Sequence, residues 1–396
     1  MNSLPDTPTT PAFIYDQTTI LRQVDILQGW RERAGCGLLY SIKALPLAPV
    51  MSLLQPRIDG YAVSSLFEAR LARELAGPDG EVQITTPGLI PAQMAELGSL
   101  CNTVSFNSLG QLQRLSPLLP GSTDIGLRIN PRLSFLSDPR YDPCRKHSKL
   151  GAPIEAVLAA WRRRELPAGL SGLHCHTLFE SYSFEPLCQT WEHIETQLGG
   201  LLSELRWVNL GGGYLFDAST DLGDLYRLGE HLHGEYGLRV LFEPGKAMVS
   251  EAGTLVASII DVFESDGSTI AILDTSVNHH PEVFEYQIRP RVLGEDMAGD
   301  YPVILAGGTC LSGDVFGEYR FARPPGIGQR IVFGGLGAYS LIKAHRFNGH
   351  NLPDVYIRDE SGSLRLCKRF DYQDYYRHWG EAQAEVRSLP LRKRQG

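Results

Sequence analysis

Leu38-Leu39-Tyr40-Ser41-Ile42-Lys43-Ala44 reads as a buried strand that closes on a single lysine. A lysine held among apolar neighbours loses the hydration of its charged form. Its pKa falls and its amine becomes a nucleophile, which is what a Schiff-base lysine requires. A lone lysine at a strand end more often snorkels to solvent, so the weight of this reading comes from the segments that follow.

Seven more apolar, strand-length segments recur near 60–65, 82–87, 103–107, 125–130, 170–176, 206–210 and 239–243. Between them, amphipathic runs such as Leu66 to Ala76, Pro91 to Ser99 and Leu109 to Leu119 predict helices. The first five strands start about 22 residues apart, close to the minimum for a strand–helix unit. Eight such units with right-handed crossovers close into a (β/α)₈ barrel. The longer gap between 130 and 170 holds Ser134 to Lys149, rich in Pro, Asp and Ser, an active-site or interface loop followed by a helix.

After Gly245 the pattern changes. Segments 254–263, 269–273, 301–306 and 329–333 are β-branched or alternating, with turns at Asp266-Gly267 and Pro324-Pro325-Gly326. They predict a mostly antiparallel β domain. The expected organisation is a barrel over 20–245 and a β domain built from 1–19 and 246–396. Ala12 to Tyr15, counted with the second, could instead supply a barrel strand.

Bulk properties exclude some functions. The formal net charge of −8 argues against nucleic acid or an anionic membrane surface as partner and suits a cationic substrate. The first residues show no basic region leading into an apolar one, and no apolar run reaches the roughly 20 residues of a membrane span. Cys36, Cys101, Cys144, Cys175, Cys188, Cys310 and Cys367 form an odd, scattered set without a CxxC pair, so reduced thiols and a cytoplasmic location are expected. Arg392 to Gln395 reads as a solvated tail.

Barrel enzymes keep their chemistry at the C-terminal ends of the strands. Strand one ends at Lys43, strand six with His174-Cys175-His176, strand seven with Asn209-Leu210-Gly211-Gly212-Gly213 and strand eight with Glu243-Pro244-Gly245. Consecutive glycines let backbone N–H groups turn toward an anion, and the loop after strand seven is where barrels commonly hold phosphate. His174 and His176, two apart, face the same side. They lack the third ligand and the spacing of a metal site, so none is expected. His176 suits a ring lying against a planar cofactor, while His174 reads as a core histidine. Glu243 suits a pyridinium nitrogen. A carboxylate there keeps the ring protonated, making it the stronger electron sink that decarboxylation needs. In the second domain Cys310 lies in a glycine-flanked loop, either an inert thiol or a proton donor. Gly337-Ala338-Tyr339 and Phe347-Asn348-Gly349 are turn-like.

Taken in order, Tyr40-Ser41-Ile42-Lys43-Ala44, Gly172 to Leu178, Trp207 to Gly213, Glu243-Pro244-Gly245, Ile272 to Ser276, Thr309 to Asp314 and Phe347 to Pro353 resemble the fold-type III pyridoxal-phosphate decarboxylases. That alanine-racemase-like superfamily includes the ornithine and diaminopimelate decarboxylases. Within it the pattern is most similar to carboxynorspermidine/carboxyspermidine decarboxylases, over residues 10 to 358. The resemblance implies pyridoxal 5′-phosphate as cofactor, Lys43 as its covalent anchor, His176 stacked on the ring and Glu243 at the ring nitrogen. Gly211, Gly212 and Gly213 would hold the phosphate with help from the Tyr339 hydroxyl. Cys310 would protonate the substrate carbon and would come from the second subunit of a homodimer with shared active sites. The implied reaction is decarboxylation of a carboxylated polyamine or a related 3-amino-3-carboxypropyl amine. Asp274, Glu285 and Asp314 are candidate partners for its cationic end. The alternative is an ornithine- or diaminopimelate-type decarboxylase. Three positions depart from the subfamily's pattern and bear on the amine accepted: Lys246 after Glu-Pro-Gly, Phe179 between Leu178 and Glu180, and Tyr214-Leu215-Phe216 after the glycines.

Overall fold

The computed structural model describes residues 8–32 and 36–380; the basic tail Arg392 to Gln395 lies outside them. After β1 (Ala12–Asp16) come β2 (Cys36–Ser41), β3 (Gly60–Val63), β4 (Glu81–Thr85), β5 (Thr103–Phe106), β6 (Asp124–Asn130), the two-residue β7 (Ala152–Pro153), β8 (Leu170–Cys175), β9 (Trp207–Asn209) and β10 (Arg239–Phe242). Eight of these run parallel in the order β2–β3–β4–β5–β6–β8–β9–β10. Pairing of β10 with β2 closes the barrel. These are the eight strands expected from the apolar segments. Helices Leu66–Ala76 and Leu109–Leu115 start where Ser65 and Ser108 accept the N–H groups of Glu68 and Gln111, satisfying donors that a helix start leaves open.

Side chains two apart on each strand face the barrel axis. Leu39, Ala62, Trp207 and Leu241 form an apolar plug there. Trp207 fits because its neighbours are glycines: a Cβ at Gly126 or Gly172 would stand 2.5 or 2.1 Å from the indole. One step toward the C-terminal ends, the same faces carry buried Ser41, Gln83, Ser105, Arg128, His174 and Asn209. The barrel is therefore sealed below and polar above, and the polar layer is the floor of the site.

The second sheet contains β1, β11 (Gly253–Ser265), β12 (Ser268–Leu273), β13 (Arg291–Val292), β14 (Tyr301–Ala306), β15 (Val315–Phe321), β16 (Arg330–Gly334), β17 (Asp354–Arg358) and β18 (Leu364–Lys368). It is mostly antiparallel, with two parallel pairs, β1–β17 and β12–β14. The option of a barrel strand at Ala12 to Tyr15 is corrected. Ala12 pairs with Val256 and Asp354, because its apolar side chains complete the core of the second sheet with Val256 and Tyr356.

The two sheets meet at the barrel's C-terminal end. The Tyr339 N–H donates to Ala44 O at 2.9 Å, joining a β-domain loop to the turn that carries Lys43. That loop lies so close that a Cβ on Gly337 would stand 1.7 Å from Val249 O. All seven cysteines are free. Among the described residues no helix is long and apolar enough to cross a membrane.

Candidate active site

Lys43 follows β2 in a single helical turn, Ile42–Ala44, which lifts it off the strand and over the barrel end. It lines a cavity of 410 Å³ and an adjoining recess of 120 Å³; His176 and Glu243 line both as well. The accessible surface of Lys43 thus faces the cavity, walled by protein. Loss of hydration lowers its pKa, aided by the charge of Arg128 and opposed by Glu243. The amine is therefore easier to deprotonate than an exposed lysine.

Glu243, just past β10, is held by two donors. Asn209 Nδ2 donates to Oε1 at 2.7 Å, and His174 Nε2 lies 3.4 Å from Oε2. Burial alone would raise the carboxyl's pKa, but His174, Lys43 and Asn209 outweigh burial and hold it below the usual value. For His174 burial wins and the pKa falls, so the pair is a neutral imidazole donating to a carboxylate. Asn209 also accepts the Gly211 N–H at 2.9 Å on Oδ1. One amide thus orients both the carboxylate after β10 and the glycine run after β9.

In that run Gly211 and Gly213 take φ of +70° and +94°, a region that favours glycine. A Cβ on Gly212 would meet Glu243 O at 2.3 Å. The Gly212 N–H donates to His176 Nδ1 at 3.1 Å. This places the imidazole proton on Nε2, and burial followed by the charges of Lys43 and Arg128 holds the ring neutral. Gly212, Gly213, Gly245, Lys246 and Tyr339 line the recess. Lys246 is ion-paired with Glu180. A glycine cradle with a cation and a phenol suits a phosphate. The neutral ring of His176 and the oriented carboxylate of Glu243 suit a protonated pyridine. The residues present fit pyridoxal 5′-phosphate.

The structure therefore brings together Lys43, His176, Gly212, Gly213, Glu243 and Tyr339, with Gly211 bonded beneath them. Cys310, Asp274, Glu285 and Asp314 do not line this cavity. Cys310 is exposed in a loop of the second sheet, its N–H donated to Asn348 Oδ1 at 2.8 Å. For Asp274 and Asp314 the expected contact with substrate is not met within the chain. Asp274 accepts from Thr10 Oγ1 at 2.6 Å and Ser258 N–H at 2.8 Å. Asp314 is buried, accepting from the Val277 and Thr309 N–H groups and the Thr309 hydroxyl. Both carboxylates are used to fold their own loops. Glu285 pairs with Lys343 at 2.7 Å, and Lys343 in turn stands over the Tyr286 and Tyr339 rings.

Three elements of the site carry no sequence motif. Asn209 reads in the sequence only as the start of a glycine run. Arg128 faces the cavity at the strand position that alternation from Gly126 would have indicated. Tyr141 and Phe179 line the cavity and stack on each other, and Tyr286 packs edge-on against Tyr141, with centroids 5.0 Å apart in each pair; nothing in the spacing of these three signals their contact.

Residues 12–337 match the family described as pyridoxal-dependent decarboxylase, C-terminal sheet domain. The chain is 32% identical over 369 residues to a carboxynorspermidine/carboxyspermidine decarboxylase of Herminiimonas arsenicoxydans, covering 92% of this chain and 98% of that protein. It is 33% identical over 386 residues to a carboxyaminopropylagmatine decarboxylase of Synechocystis, covering 96% and 97%. Among solved structures, carboxynorspermidine decarboxylase of Campylobacter jejuni in complex with norspermidine superposes with a TM-score of 0.84 at 28% identity, over 93% of this chain and 99% of that one.

Proposed function

The chain belongs to the fold-type III pyridoxal-phosphate-dependent decarboxylases, and from that premise we propose that it decarboxylates a carboxylated polyamine or a related 3-amino-3-carboxypropyl amine. The observation that carries the reading is the meeting of Lys43, His176, Glu243 and the glycine cradle around one cavity. The relatives' names, carboxynorspermidine, carboxyspermidine and carboxyaminopropylagmatine decarboxylase, supply the substrate class.

Bound pyridoxal 5′-phosphate supplies an aldehyde for amines and a protonated ring that accepts the electron pair released with carbon dioxide. Around it each residue has one task. Lys43, its amine poised by lost hydration, would be the covalent anchor of the cofactor. Glu243, fixed by Asn209 and His174, would hold a proton on the ring nitrogen. Neutral His176 would offer its face to the ring without adding charge. Gly212, Gly213 and Tyr339, with Gly211 shaping the turn beneath them, would hold the phosphate. Val63, Pro87 and Leu178 line the cavity and keep water from the departing carboxylate, whose charge a dry surface disfavours. Cys310 returns a proton to the carbon that lost carbon dioxide. Since Cys310 lies outside its own cavity and is exposed, this role calls for a homodimer in which each thiol serves the other subunit. Seven free thiols fit a reducing cytoplasm.

A second reading has its own observation. Arg140, Arg145 and Lys149 line the outer cavity, and such a mouth favours a substrate with a distal carboxylate, as in diaminopimelate. Carbon dioxide release from carboxynorspermidine, carboxyspermidine, carboxyaminopropylagmatine, ornithine and diaminopimelate decides. Turnover fastest on one of the first three supports the proposal, fastest on diaminopimelate supports the second reading, and no release from any refutes both.

A further inference from the structure

Cys310 is held by more than its own loop. Asp314 ties the Thr309 side of that loop, but the Cys310 N–H donates to Asn348 Oδ1 at 2.8 Å, on the separate turn Phe347–Gly349. In that turn Asn348 and Gly349 both take left-handed backbone, with φ of +55° and +76°. An L side chain enters that region at a cost in free energy, and a non-glycine residue stays there only where its surroundings fix it. The turn is therefore held from outside, and the Cys310 backbone depends on what holds it.

That support comes from the segment after β18. Asn351 Nδ2 donates to Phe370 O at 2.7 Å, and the Arg346 guanidinium stands 5.5 Å from the Phe370 ring centroid. Behind the turn lies the helix Tyr372–Trp379, whose Tyr375 hydroxyl would stand 3.6 Å from a Cβ on Gly349. This helix buries none of its 8 residues and so adds to neither core. A helix this short is marginal in water by itself. Yet the sequence gives it a full capping box: Asp371 accepts the Asp374 N–H at 3.0 Å, and Asp374 accepts the Asp371 N–H at 3.1 Å. Lys368 pairs with Asp374 at 3.8 Å. The helix is thus capped at its start, empty of core residues and set against one turn. It also lies beyond residues 12–337, the part that the family matches.

We propose that the helix Tyr372–Trp379 is a brace that sets where the Cys310 thiol stands, acting through Gly349 and Asn348. The inference rests on the reading above that Cys310 is the proton donor. That donor faces two carbons sharing the electron pair released with carbon dioxide. A proton on the carbon that lost carbon dioxide gives the amine. A proton on the cofactor's aldehyde carbon leaves, after hydrolysis by one water, an aldehyde product, and the amino group stays on the cofactor. One electron pair takes one proton in either case, so the position of the thiol decides the product. A displacement of about 1 Å in a reacting group can change a rate by roughly 10². Tyr375 and Asn348 line neither the cavity nor its recess, so they are positioning residues for the thiol of their own chain, whichever subunit's cavity that thiol serves.

The test uses the full-length, cofactor-loaded protein and the carboxylated amine that it turns over fastest. Amine, aldehyde and aminated cofactor are measured for wild type, Tyr375→Ala and Tyr375→Phe. Phenylalanine keeps a ring against Gly349, and alanine removes it. Tyr375→Ala should raise the aldehyde share about fivefold or more and lower kcat, with KM and the bound cofactor's absorbance within about twofold of wild type. Tyr375→Phe should match wild type. A folded Tyr375→Ala whose aldehyde share and kcat stay within about twofold of wild type overturns the brace. A fall in kcat with the aldehyde share unchanged overturns it equally, since a merely structural loss lowers both products alike. Asn348→Ala checks the route: adding Tyr375→Ala to it should give no further aldehyde, and additive effects would overturn a route through Asn348. Should Tyr375→Ala not fold, Asn351→Ala, which frees the same turn from Phe370, is read by the same criteria. Unchanged rate and products in Cys310→Ala would instead refute the donor reading, and that control is scored first.

Discussion

The barrel end around Lys43 and the β-domain loop around Cys310 are organised in opposite ways. At the barrel end, side chains orient one another: Asn209 grips both Glu243 and Gly211, and Gly212 fixes His176. Almost every polar group there has a task inside the chain, and the shape left over fits one cofactor. In the loop, the Asp314 carboxylate and the Asn348 amide accept backbone N–H groups and hold the loop itself, while the thiol is left exposed. The first region is complete in one chain. The second presents an exposed thiol that lines neither the cavity nor its recess. The proposed dimer would account for this contrast, with each chain preparing a cofactor site that the exposed thiol of a second copy completes.

Substitutions in each region would test the contrast. The largest effect is expected at the barrel end: Lys43→Ala should cut kcat/KM by about 10³-fold or more, since the covalent route is lost. A variant that keeps a tenth of wild-type activity would contradict the site. Next, Glu243→Gln should cost roughly 10²-fold in kcat by weakening the proton's hold on the ring nitrogen. A shift of the bound cofactor's absorbance should accompany it, and unchanged spectra and rates would remove Glu243 from its role.

The third concerns the loop. Cys310→Ala should slow amine formation by about tenfold or divert part of the product to an aldehyde by protonation at the wrong carbon. Mixing refolded Lys43→Ala with Cys310→Ala chains should restore about a quarter of wild-type activity, because half the dimers would be mixed and each would hold one intact site. No recovery would mean that each thiol serves its own subunit or none.

The smallest effect lies at the junction between the regions. His280 bonds Ser340 at 2.9 Å beneath the Tyr339 loop. Burial, then Lys246 and Lys343, lower its pKa to about 4. A histidine kept neutral in the fold but titrating near 6.5 when unfolded contributes stability that is full above pH 6.5 and lost as pH falls toward 4. The apoprotein should therefore lose about 1 kcal/mol from this group between pH 7 and 5.5. His280→Asn should flatten that part of the stability curve, and an unchanged slope would show that His280 is not the titrating group.

Much of the barrel end was legible in the sequence because its information is local. Apolar segments, evenly spaced over the first five, mark all eight strands, and strand ends mark Lys43, His176, Gly212, Gly213 and Glu243. Arg128 lay in the same alternating pattern and was passed over because a charged residue inside a strand attracts no motif. The second sheet was less legible. Strands β13, β15, β17 and β18 went unread, and β1 finds its partners at Val256 and Asp354, far along the chain. Such pairings are fixed by the packing of two complete units, and no local period announces them. Asp274 and Asp314 show the same boundary: their residue type suggested an amine partner, and only tertiary contacts reveal that they tie loops.

Lys43 is the proposed anchor of the cofactor, and everything else at the site is arranged around it. Reduction of the pyridoxal-phosphate-loaded protein with borohydride, followed by peptide mass analysis, tests it most directly. One phosphopyridoxyl group per chain is expected, on the peptide that contains Lys43, and none on Lys43→Ala. Label on Lys246, on Lys149 or on no lysine at all would contradict it.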